Sequence, residues 1–165
     1  AAEALEPVVG RLQAVGDGAD IRVIVDYAHT PDALERAIRA LKETDNAGAL
    51  WVLFGCGGDR DPGKRAEMGA IACQFADRVI VTSDNPRSEA PEAIIDDILR
   101  GCDDSPIVES DRAAAIALVI AEAQVGDIVL IAGKGHENYQ EIDGVRLPFN
   151  DAEHAVQHLQ QRQAA

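Results

Sequence analysis

Five short apolar runs punctuate the chain: IRVIVDY (21–27), ALWVLFG (49–55), RVIVTS (78–83), PIVES (106–110) and DIVLIAG (127–133). Each is apolar at consecutive rather than alternate positions and rich in Val or Ile, which suits strands buried on both faces of a parallel sheet. Between them the pattern turns helical. Leu34, Ala37, Ile38 and Leu41 share one helix face, as do Met68, Ile71, Ala72 and Phe75, and again Ile116, Val119, Ile120 and Ala123. Start signals agree with the periodicity. Thr30 precedes Pro31, Pro91 opens a third helix, and Asn150 with Glu153 resembles a capping box before the last one. EIDGVRLPF (141–149) instead holds two short runs around Asp143-Gly144, a strong hairpin turn.

Strand and helix in alternation predict an α/β fold: an open, doubly wound, Rossmann-like sheet of about six strands, mostly parallel, with helices on both faces. The hairpin is expected to supply one antiparallel edge strand. At 165 residues the chain suits one domain, and 47% hydrophobic content makes it globular rather than disordered.

Charge and cysteine usage narrow the partners. A formal net charge of −14 repels phosphate backbones, so nucleic acid is not an expected partner. No apolar run approaches a membrane span, and AAEALEPVVGRLQAV carries no export signal, so no membrane association is expected. Three cysteines without a C-x-x-C pair suggest a reducing cytoplasm and no disulfides, and an alternating pattern complete within the chain suggests a monomer. Cys56 reads as a small buried filler. The missing initiator Met suggests a fragment of a longer chain.

Ligands of such folds bind beyond the carboxyl ends of the strands, where strand order reverses. There the sequence gathers its polar residues: Asp26, Tyr27, His29 and Thr30; GCGGDRDPGKR (55–65); Asp84, Asn85 and Arg87; and Gly133, Lys134, Gly135, His136 and Glu137. From Gly58 the second stretch nearly spells a P-loop, but Arg65 stands where a magnesium-binding hydroxyl is needed and Pro62 lacks an N–H. An anion site around Arg60 is the better reading, against the bland alternative that Arg60 and Lys64 pair with Asp59 and Asp61. No metal site is expected: His136 and Glu137 have no further His at ligand spacing, and His154 and His158 read as a solvated helix face.

Four strand-end motifs in order, DYAHTPDALERAI, GCGGDRDPGKR, TSDNPRSE and AGKGHENYQ, resemble the C-terminal domain of a Mur ligase. The likeness runs from about Val9 to the end. Within that family it is similar to the ligases that add the third residue of the peptidoglycan stem peptide. The resemblance implies an ATP-dependent amide ligase. An acyl phosphate forms on the UDP-N-acetylmuramoyl dipeptide, and an amino acid's amine displaces the phosphate. It also implies that ATP and Mg2+ are held mainly by a central domain outside this chain, with no catalytic residue here. Residues 1–15 would be a residual linker from that domain and 16–165 the amino-acid-binding domain. By resemblance, Arg60, Asn85, Arg87, Gly133 and Glu137 hold the incoming amino acid, meso-diaminopimelate. Arg11, Asp26 and His29 would lie on the nucleotide side. Ser83 departs from the acid that often precedes the family's DNPR.

Two alternatives stay open: a non-catalytic flavodoxin-like small-molecule-binding or regulatory domain, and a folylpolyglutamate-type ligase domain. The expected selectivity is for diaminopimelate over L-lysine, because lysine would leave Arg87 buried without its carboxylate. Removing one partner of a buried pair costs about 3–5 kcal/mol, or roughly two to three and a half orders of magnitude.

Overall fold

The computed structural model describes residues 10–44 and 47–165; residues 1–9 of the expected linker lie outside them. Strands β1 (Gln13–Val15), β2 (Arg22–Asp26), β3 (Leu50–Phe54), β4 (Arg78–Val81), β5 (Ile107–Val108) and β6 (Ile128–Ala132) form one sheet in the order β1-β2-β6-β3-β4-β5. All neighbours run parallel except β1 and β2. Helices α1 (Pro31–Lys42), α2 (Gly63–Phe75), α3 (Pro91–Leu99), α4 (Arg112–Glu122) and α5 (Asp151–Ala164) complete the main fold.

Why the strands read as unbroken apolar runs is plain from the packing. Successive side chains point to opposite faces of the sheet, and each face has its own helices to meet. Ile24, Val52, Phe54 and Leu130 pack against α1, α2 and α3 through Leu34, Ile38, Met68 and Ile94. Val25, Leu53, Ile80 and Ile131 pack on the other face against Ile116, Val119 and Ile120 of α4 and Leu159 of α5. The expected helix starts are present. Thr30 Oγ1 accepts from Ala33 N at 3.2 Å, and Asn150 Oδ1 accepts from Glu153 N at 3.0 Å. The cap of α4, where Asp111 accepts from Ala114 N at 3.1 Å, was not among the sequence signals.

Three expectations need correction. PIVES does not make a strand buried on both faces. It contributes only Ile107 and Val108, both exposed, because β5 ends the sheet. Ile71 and Phe75 are only partly buried, since Met68 and Ala72 take the inner row of α2 and Phe75 lies under the Arg39 guanidinium at 4.4 Å. The antiparallel edge strand comes from Gln13–Val15, inside the stretch expected to be linker, and not from the hairpin. The hairpin does form, as β7 (Tyr139–Ile142) and β8 (Val145–Pro148), turned by Asp143 and Gly144 at φ 50° and 77°. It stands as a separate two-stranded sheet. β6 is flanked by β2 and β3, so a strand following it closely finds no free edge beside it. The hairpin lies instead across the loop after β4, where Arg87 N donates to Glu141 O and Asp143 N to Arg87 O.

Candidate functional site

The carboxyl ends of β2, β3, β4 and β6 open onto one cavity of about 490 Å³. The five residues expected to meet an amino acid, Arg60, Asn85, Arg87, Gly133 and Glu137, all line it, with His29, Asp61, Lys64, Asp84, Tyr27 and Tyr139. Cationic and anionic groups thus face one another across a small volume.

The β3–α2 loop is held by the loop after β4. Gly58 N donates to Asn85 O at 2.8 Å, and a Cβ on Gly58 would collide with the Pro86 carbonyl, so only glycine allows this approach. Asp59, in the left-handed region at φ 54°, donates its N–H to Glu89 at 2.9 Å, and its carboxylate takes the Ser88 hydroxyl at 2.6 Å. Arg65 is 2% exposed and ties the base of both loops, reaching Glu89, Asp97 at 3.0 Å and Gly57 O at 3.2 Å. The bland alternative for the basic cluster does not occur. Arg60 Nη1 donates to its neighbour's carbonyl, Asp59 O, at 3.0 Å, and Lys64 Nζ to His29 O at 2.6 Å.

This loop does not fit a nucleotide triphosphate. Gly58 N and Gly63 N are spent on Asn85 O and Asp61 Oδ1, Lys64 is turned to His29, and Arg65 is locked among carboxylates. A phosphate cradle needs those N–H groups aimed outward.

Across the cavity, Arg87 also adopts a left-handed conformation, φ 52°. Such a residue persists only where its surroundings over-determine it, and here the hairpin does so from both sides. Its Nη1 donates to Gly58 O at 2.9 Å, while Nε lies 3.3 Å from Glu141 Oε2. That pairing corrects the selectivity argument. Arg87 keeps a carboxylate partner without any ligand, and its side chain is 19% exposed. A ligand carboxylate then adds a charge-assisted hydrogen bond, about 1.5–3 kcal/mol or roughly one to two decades, instead of relieving an unpaired charge.

Asn85 and Glu137 meet a side chain that motif reading passed over. Lys134 is fully buried and donates to Asn85 Oδ1 at 2.9 Å and Glu137 Oε1 at 3.1 Å. A Lys between two glycines directly after a buried strand is the signal that could have revealed it. Gly133 has φ 115°, and a Cβ there would sit 2.7 Å from Asp84 Oδ2, so the position admits no other residue without strain. Burial pushes the Asp84 carboxyl above its ordinary value, against Arg112 and Lys134, which pull it down. Beneath the cavity, Arg112 and Asp151 form a bidentate pair at 2.8 and 2.7 Å, both side chains wholly buried. Arg112 also donates to Ser83 O and Ala132 O at the ends of β4 and β6.

The three residues expected on the nucleotide side divide. His29 lines the cavity, its Nδ1 2.8 Å from Tyr27 O. Asp26 points elsewhere, its carboxylate accepting Leu12 N at 2.7 Å and Ala28 N at 2.8 Å. Arg11 is exposed on the turn leading into β1, next to the Leu12 that Asp26 holds. Among the described residues no three His, Cys, Asp or Glu side chains gather to hold a metal ion, and no helix is long and apolar enough to cross a membrane.

Comparison with known proteins agrees with this architecture. Residues 10–135 match the family described as Mur ligase, glutamate ligase domain. The UDP-N-acetylmuramoyl-L-alanyl-D-glutamate–2,6-diaminopimelate ligase of Chromobacterium violaceum is 58% identical over 149 residues, covering 89% of this chain and 30% of that protein. The Pseudomonas aeruginosa ligase of the same name is 56% identical over 157 residues, 94% of this chain and 32% of its own length. The chain therefore spans about a third of these curated relatives. A solved structure of a ligase of that name superposes with a TM-score of 0.88 at 48% identity, over 96% of this chain and 33% of the other. A Yersinia pestis bifunctional folylpolyglutamate synthase/dihydrofolate synthase shares the fold alone, with a TM-score of 0.62 at 19% identity, over 98% of this chain and 32% of the other. On its sheet order, its strand-end motifs and these likenesses, the chain belongs to the Mur ligase family and carries that family's glutamate ligase domain.

Proposed function

We propose that this chain is the amino-acid-binding domain of an ATP-dependent ligase that joins meso-diaminopimelate to UDP-N-acetylmuramoyl-L-alanyl-D-glutamate in peptidoglycan synthesis. One observation carries the reading: Arg60, Lys64 and Arg87 face Asp61, Asp84 and Glu137 around a single cavity. Charges of both signs at that spacing suit a double zwitterion better than a phosphate or a simple anion. Arg87, with Nη2 still to donate, takes one carboxylate together with Asn85 Nδ2. The Glu137 carboxylate and the Gly133 carbonyl take the ammonium on the same carbon. Arg60 receives the other carboxylate, leaving the second amine near the mouth. That amine, uncharged, attacks the carbonyl carbon of an acyl phosphate on the muramoyl dipeptide: a C–N bond forms, the C–O bond to phosphate breaks, and the nitrogen gives a proton to solvent as phosphate leaves. What this chain supplies is position, holding one amine toward the mouth and the other against Glu137.

ATP and Mg2+ belong to the remainder of the protein, because the glycine-rich loop here has its Gly58 and Gly63 amides bonded within the chain and Arg65 where a magnesium-binding hydroxyl is needed. Arg11, Asp26 and His29 are assigned to the nucleotide side of the closed protein: His29 lines the cavity, while Asp26 holds the turn beside Arg11 through Leu12 N. The protein works as a cytoplasmic monomer.

The test is ligation by the full protein, with ATP, the muramoyl dipeptide and diaminopimelate, read by product mass. Addition of diaminopimelate is expected. No diaminopimelate product, together with glutamate addition in a parallel reaction supplied with a folate and glutamate, would favour the folylpolyglutamate-type alternative and overturn the reading.

A further inference from the structure

Asn85, Lys134 and Glu137 form a closed triangle. Lys134 Nζ donates to Asn85 Oδ1 at 2.9 Å and to Glu137 Oε1 at 3.1 Å, and Asn85 Nδ2 donates to Glu137 Oε1 at 3.2 Å. Asn85 Oδ1 receives a further donor, the Glu141 backbone N–H, at 3.0 Å. An ammonium and a backbone amide can only donate, so both dictate that the amide oxygen turns toward them. A flipped Asn85 would set its NH2 against two donors in a buried site, which is costly. One N–H of Nδ2 is thereby left over for a ligand. Glu137 is fixed in the same way: Oε1 is occupied twice, whereas Oε2 accepts nothing among the described residues.

We infer that Lys134 is a positioning residue that gives this cavity its polarity, turning Asn85 into a donor for carboxylate and Glu137 Oε2 into an acceptor for ammonium. The inference rests on the reading of the cavity as a diaminopimelate site. Lys134 touches no ligand itself, since its side chain is fully buried and its ammonium is shared between the two groups it orients. Asn and Glu alone do not define which end of an amino acid they hold, because each has several rotamers and the amide has two faces. With the buried cation in place the pair reads an ammonium and a carboxylate on one carbon, in one order only.

The experiment is steady-state kinetics of the full ligase with Lys134→Met, which keeps the length of the side chain and removes its donors. The KM for diaminopimelate should rise tenfold or more, with kcat within about threefold and the KM for ATP unchanged. The double variant Lys134→Met/Glu137→Gln should cost no more than the worse single change, because the two act as a unit. Should the Met variant fail to fold, Lys134→Gln keeps an uncharged NH2 donor and should show a smaller rise in the same KM. An unchanged KM for diaminopimelate, or KM values for ATP and diaminopimelate rising together, would overturn the inference. An unaltered enzyme that does not use diaminopimelate would instead bring down the functional reading, and this inference with it.

Discussion

Cys56 is the plainest case of a residue whose chemistry its surroundings have removed. It is 3% exposed, and its Sγ lies 3.7 Å from Met68 Sδ. Burial pushes the thiol to about 12, far above the ordinary value. At pH 8 it should therefore resist alkylation in the folded protein and react only on unfolding, which mass spectrometry after iodoacetamide treatment would show. Glu89 moves the other way. Its hydrogen bonds with Arg65, and then with Asp59 N, hold it at about 2 against an ordinary 4.5. Between those values the unfolded chain binds the proton more readily. The pair thus stabilises the fold above pH 4.5, and that contribution is lost as pH falls toward 2. Glu89→Gln should flatten the stability profile in that window, so urea midpoints of wild type and variant should converge as pH drops from 5 to 2.5. The motif residues Arg60, Asn85, Arg87 and Glu137 were legible in the sequence because each follows an apolar run. Lys134, Glu141 and Arg65 were not, since their importance lies in partners 3 to 54 positions away along the chain.

At the scale of elements, the pair of Arg112 and Asp151 joins α4 to α5 and clamps the ends of β4 and β6. Both side chains are wholly buried. Arg112→Met would strand the Asp151 carboxylate and should cost about 3–5 kcal/mol. For a chain of this size that lowers Tm by roughly 6–20 °C, measurable by calorimetry. Arg112→Met with Asp151→Leu should recover much of the loss, because no charge is then left unpaired. A double variant as unstable as the single one would contradict that account. The sequence revealed the parallel strands because burial on both faces leaves an apolar run no polar phase. It misplaced the edges because edges answer to topology. Gln13–Val15 has only one buried residue, Val15, and no strand-like run to announce it. The hairpin has a strong turn signal but follows β6, whose two neighbours are already in place, so it forms a sheet of its own.

For the whole molecule, a near P-loop whose Gly58 and Gly63 amides are bonded within the chain and whose Lys64 is turned to His29 predicts no nucleotide chemistry of its own. The 165-residue chain should release no phosphate from ATP, and Lys64→Ala should change nothing; ATPase activity abolished by that change would revive the P-loop. The most direct test of the account is substrate competition in the full ligase, before and after Arg87→Ala. Wild type should prefer diaminopimelate to L-lysine. Because Glu141 already neutralises Arg87, the substitution should lower kcat/KM for diaminopimelate by about one to two decades. Use of lysine, which has no distal carboxylate, should move by less than about threefold. Equal use of the two amino acids by wild type, or a preference untouched by Arg87→Ala, would contradict the assignment of this cavity.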